Sequence, residues 1–97
     1  MEDFVYFNNL YDLYNCLLTS KQKMYFEDYY FNNLSLSEMA ESYKVSRNAI
    51  FKQLHIVTDK LKEYENKMGL FKKKNQLLKI IEKIKDENIK GEIEELI

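Results

Sequence analysis

Proline is absent from this 97-residue sequence, and glycine occurs only at Gly69 and Gly91. Proline removes a backbone donor and glycine lets the chain turn sharply, so a sequence almost without either has few ways to punctuate strands. Long helices are what remains, and the expected fold class is all-α. With 45% hydrophobic and 14% aromatic residues the chain can bury a core. At this length a single core is the norm, so residues 1–97 are expected to form one domain. Cys16 stands alone and cannot close an intrachain disulfide. No basic segment followed by an apolar one opens the sequence, which points to a cytoplasmic protein. No uninterrupted apolar run approaches the ~20 residues that span a bilayer, so membrane insertion is not expected.

Apolar spacing places the helices. Across residues 4–18, Phe7, Leu10, Tyr11, Tyr14, Leu17 and Leu18 recur at intervals of three and four, the stripe of an amphipathic helix facing a core. Tyr6, Leu13 and Cys16 form a second row off that stripe, read either as a partner surface or as isolated surface apolars. Thr19 with Gln22 has the spacing of a capping box and starts a second helix near Ser20. That helix runs through Tyr25, Phe26, Tyr29 and Tyr30, a cluster read as core in preference to a base-stacking platform, and stops at Asn32 and Asn33.

Ser35 and Glu38 repeat the capping box and open a short helix to about Tyr43, with Leu36, Met39, Ala40 and Tyr43 inward. Ser46 caps the next helix, and only Lys44 and Val45 lie between, the tight connection of a helix-turn-helix at about residues 35–68. Lys44 takes the turn position where positive φ is usual, and Val45 is expected to plug the turn. Ile50, Leu54, Val57, Leu61, Tyr64 and Met68 mark the inward stripe of a helix over about residues 47–68, closed by Gly69 as a left-handed cap. Beyond it Leu70, Leu77, Ile81 and Ile84 mark an amphipathic extension over residues 70–97, either one helix or two broken near Asp86-Glu87-Asn88. Leu77, Ile81 and Ile84 need cover, and a homodimer would supply it.

Setting Ile50 as the core direction and advancing about 100° per residue, Asn48, Lys52, His55, Ile56 and Asp59 point outward, flanked by Arg47 and Phe51. In a major groove Asn48 and Lys52 would read bases and Arg47 would contact phosphate. Duplex binding draws on clustered cations, however, and this chain has 15 Lys+Arg against 16 Asp+Glu. On the same helix Asp59, Glu63 and Glu65 offset the lysines, and Ile56 is apolar. Such a face suits a protein or a structured RNA at least as well as DNA. The dense cationic run Lys72, Lys73 and Lys74 reads either as a phosphate contact or as a solvated helix face. A single histidine, His55, and the absence of a Gly-rich phosphate loop or paired His/Cys ligands argue against catalysis, a metal or a cofactor.

Taken as a string, Leu10-Tyr11-Asp12, Leu17-Leu18-Thr19 with Lys21-Gln22, Tyr29-Tyr30, Leu34-Ser35-Leu36 with Glu38-Met39-Ala40-Glu41, and Val45-Ser46-Arg47 with Ala49-Ile50 resemble the YlxM family of small bacterial proteins. The resemblance covers about residues 7–70; past Gly69 it extends only to helical, charged character. It implies a helix-turn-helix similar to region 4 of sigma factors, a winged-helix-like three-helix core with an N-terminal helix and a C-terminal helical extension. It further implies a non-catalytic accessory or regulatory role in the signal recognition particle pathway, with the particle's GTPase, its receptor or its RNA as partner. A DNA-binding transcriptional regulator using Arg47 to Asp59 is the rival expectation.

Overall fold

Side chains that satisfy the free amides of a first turn decide where most of the helices begin. Thr19 Oγ1 accepts from the Gln22 amide at 3.1 Å while the Thr19 amide donates to Gln22 Oε1 at 2.9 Å. Ser35 and Glu38 repeat the exchange at 3.0 Å in both directions. Ser46 Oγ accepts from Ala49 N–H at 3.0 Å, and Asp86 Oδ1 accepts from the amides of Asn88 and Ile89. The computed structural model describes residues 3–97 and contains six α-helices among them: α1 Phe4–Tyr14, α2 Ser20–Tyr30, α3 Leu36–Tyr43, α4 Arg47–Met68, α5 Leu70–Ile81 and α6 Glu87–Glu95. No strand occurs among the described residues, and no helix there is long and apolar enough to cross a membrane.

The long α4 is the spine. Its Val57 and Leu61 pack with Phe7, Leu10, Tyr11 and Tyr14 of α1 and with Phe26 and Tyr30 of α2. Nearer its start, Ile50 and Leu54 pack with Met39 and Ala40 of α3 and with Tyr25 of α2. Tyr29 lies against both groups and joins them. The aromatic cluster of α2 is therefore core, with Phe26 stacked between Tyr11 and Tyr30 at ring separations of 4.3 Å on each side. Tyr43 ties α3 back to α2 through a hydrogen bond to Asp28. Burial and then that bond push its hydroxyl up to about 12.

The turn between α3 and α4 forms as its residues require. Lys44 adopts φ 57° and ψ 45°, and its amide donates to the carbonyls of Ala40 and Glu41. The Val45 amide donates to Ala40 at 3.0 Å, closing the end of α3. Val45 itself differs from expectation, because its side chain is exposed and the turn is held by backbone hydrogen bonds, not by a valine plug. Leu17 also lies outside the core. The α-helix gives way to a 3₁₀ turn over Asn15–Leu17, the backbone becomes extended at Leu18 (φ −96°, ψ 153°), and Leu18, not Leu17, is the buried side chain. Met68, at the end of α4, is exposed too.

The second row on α1 is neither a free partner surface nor a set of isolated surface residues. Tyr6 and Leu13 are half-buried against the core, and the Tyr6 ring meets Phe71 of α5 edge-on at 5.8 Å. Of that row only Cys16 is exposed. What brings α5 there is Glu65. Gly69, at φ 63°, offers α5 no side-chain cap. The Glu65 carboxylate supplies one from the previous helix, accepting from Phe71 N–H at 3.0 Å, Lys72 N–H at 3.2 Å and Tyr14 Oη at 2.7 Å. Tyr14 Oη accepts in turn from Leu70 N–H at 3.0 Å. Glu65 is thus a half-buried joint, not one of the solvated acids of α4.

The extension breaks into two helices. After Ile81 the chain loosens, Asp86 starts α6, and the pair folds back so that Leu96 and Ile97 share a cleft of about 310 Å³ with Leu13, Leu70 and Leu77. Ile81 is buried, Ile84 half-buried and Leu77 exposed. The molecule is elongated, 55 × 25 × 22 Å with a radius of gyration of 16.8 Å. A compact globule of this length would have about 12.5 Å.

Candidate binding face on α4

The geometry of the candidate face follows from what anchors it. Ile50, Leu54 and Val57 are fully buried, and together they fix the rotation of α4 about its axis. With that side held, Arg47, Asn48, Phe51, Lys52, His55, Ile56 and Asp59 are all exposed, so the face expected from helical periodicity is present and free of its own subunit. From Asn48 to Asp59 it runs about 16 Å along three turns. Thr58, which the apolar stripe does not reveal, is buried beside Val57 and satisfies its hydroxyl by donating to the His55 carbonyl at 3.1 Å. That bond lets a polar residue widen the buried side without leaving an orphaned group.

Two apolar side chains stand on this face. Phe51 is 41% exposed and Ile56 44%. One turn apart, Phe51 and His55 meet edge-on with ring centroids 4.5 Å from each other, so the imidazole covers part of the phenyl ring. Among the described residues Arg47, Lys52 and Asp59 are in no ion pair, which leaves two cations and one anion for a partner. Exposed aromatic and arginine side chains are the types that dominate protein interfaces, whereas a phosphate-tracking groove would show clustered cations.

The lysine run lies elsewhere. Lys72 and Lys73 are exposed on the first turn of α5, while Lys74 is half-buried, and Lys73 with Lys74 edges the cleft between α5, α6 and Leu13. About 24 Å of α4 separates Lys52 from the start of α5, so the run and the α4 face form separate surfaces. Among the described residues no group of three or more His, Cys, Asp or Glu side chains is placed to hold a metal.

A family model described as "Putative helix-turn-helix protein, YlxM / p13 like" matches residues 1–97. The chain belongs to this family, UPF0122. The UPF0122 protein of Caldanaerobacter subterraneus subsp. tengcongensis is 45% identical over 88% of this chain and 73% of its own length. That of Geobacillus kaustophilus is 44% identical over 81% of this chain and 72% of its own length. A Listeria welshimeri member is 38% identical over 92% and 89%, respectively. The family description agrees with the motif seen at α3 and α4, and the all-helical architecture is the one such a motif calls for.

Proposed function

We propose that this UPF0122 protein is a non-catalytic accessory or regulatory factor of the signal recognition particle pathway, acting in the cytoplasm by binding the particle's GTPase, its receptor or its RNA through the exposed face of α4. The observation that carries a protein or ribonucleoprotein partner is the pair Phe51 and Ile56, exposed among Arg47, Lys52 and Asp59 on a helix whose opposite side is fully buried. Apolar groups held in water at the middle of a charged face gain by association, and a rim of mixed charge gives that association specificity. The particle itself enters through the YlxM-like sequence.

A pull-down from cell lysate with and without ribonuclease tests the reading. Expected is capture of the GTPase or its receptor in both lanes, or of particle RNA in the untreated lane alone. The Phe51→Ala/Ile56→Ala pair should reduce capture at least about tenfold, the loss of one good interface anchor. Capture of none of the three, GTPase, receptor or particle RNA, by the unaltered protein would overturn it.

A DNA-binding transcriptional regulator is the second reading, favoured by Asn48 and Lys52 standing exposed in the first turns of α4. There Asn48→Ala and Lys52→Ala should abolish sequence preference, at about 1–3 kcal/mol per base contact. If Lys72, Lys73 and Lys74 contact phosphate, changing all three to glutamine should flatten the salt dependence of nucleic-acid binding.

A further inference from the structure

The arm made by α5 and α6 is divided into two blocks of opposite charge. Residues 70–85 hold six lysines against Glu82, a net charge of +5, and residues 86–97 hold five acids against Lys90, a net charge of −4. Although α6 folds back along α5, these charges do not meet within the chain. Among the described residues the one ion pair is Lys67–Glu63 on α4, at 2.9 Å. The same arm leaves Leu77, Leu78, Ile80, Ile89 and Leu96 exposed, Ile80 at 56% and Leu96 at 87%.

We propose that this arm is a self-association surface that pairs with the arm of a second copy about a two-fold axis, the basic α5 of each against the acidic α6 of the other. A two-fold axis makes each contact occur twice, so both blocks of both chains are neutralised at once. The apolar residues between them leave water in the same step. A nucleic acid would match α5 but face repulsion from α6, and an acidic protein would meet the same conflict. A second copy carries both complements. Since the arm lies beyond the far end of α4, pairing leaves both Arg47-to-Asp59 faces open, and the inference stands apart from what those faces bind.

The test is sedimentation of the full chain at tens of micromolar, with two charge-reversed variants at exposed positions, Lys73→Glu/Lys79→Glu and Glu92→Lys/Glu95→Lys, each checked for unchanged helicity. The unaltered protein should sediment as a dimer. Either variant alone should dissociate about tenfold or more readily, because four attractive pairs become repulsive ones. An equimolar mixture of the two should recover the dimer, since each then meets its opposite in the other. A monomeric unaltered chain, including one that enters a larger species only when RNA is added, would overturn the proposal. So would reversal variants that dimerise as the unaltered protein does, or a mixture that stays dissociated.

Discussion

Glu65 shows how one side chain can set the course of the chain. Helix α5 begins at a glycine cap, which leaves its first amides without a local acceptor, and the carboxylate one turn back in α4 takes two of them together with the Tyr14 hydroxyl. Burial would raise the Glu65 pKa, but the Tyr14 hydroxyl and the Phe71 and Lys72 amides outweigh it and hold the carboxyl below its ordinary value of 4.5. Glu65→Ala should therefore lower stability by about 2 kcal/mol in urea unfolding at pH 7, the cost of hydrogen bonds to a charged group. A carboxyl with a depressed folded pKa contributes stability above its unfolded value and loses it as pH falls through the lowered one. The difference between the unaltered protein and Glu65→Ala should accordingly hold from pH 7 to about 5 and narrow at pH 3. A gap that widens in acid would contradict this assignment. In the sequence Glu65 is one acid among the charges of an amphipathic helix, and nothing within four residues of it marks it as a cap for the next helix.

Helix α4 has one buried side and one exposed side. Its bounds, Arg47–Met68, were legible because Ser46 and Gly69 stand at its ends and Ile50, Leu54, Val57 and Leu61 keep one stripe. Leu54→Ala should cost about 2–5 kcal/mol, since it empties a fully buried site where α3 and α2 meet α4. Ile56→Ala, two residues on, should leave the unfolding midpoint within about 0.5 kcal/mol of the unaltered protein while weakening partner capture. Thermal melting and pull-down on the same two variants separate packing from binding. Equal destabilisation by both would mean that Ile56 is not on a free face. The same stripe misplaced Leu17 and Met68, because periodicity assumes an α-helix with something opposite it throughout. The α-helix has ended before Leu17, in a 3₁₀ turn that leads to an extended Leu18, and Met68 stands exposed at the end of α4.

For the molecule as a whole, stability is unevenly distributed. The buried clusters gather where α1, α2 and α3 meet α4, whereas α6 contains no buried residue. Amides in the middle of α4 should exchange with solvent only through global unfolding, and those of α6 through local opening several kcal/mol lower. Hydrogen exchange resolved by residue at low-micromolar concentration checks this, and comparable protection in α4 and α6 would refute it. The elongation to 55 Å has the same origin. The final pair meets the four-helix core through α1, where Phe71 packs on Tyr6 and the Leu70 amide bonds Tyr14.

Helix starts, the two-residue turn and the outward residues of α4 could be read from the sequence because each depends on groups no more than about four positions apart, where spacing alone dictates which atoms meet. Coverage could not be read that way. Whether Tyr6 and Leu13 face water depends on α5 returning to α1, a contact organised by Tyr14 and Glu65 across 51 positions. Packing between distant segments follows from how whole helices fill space, which no local period records, and it is this packing that closed one apolar surface of the chain and left the arm of α5 and α6 open.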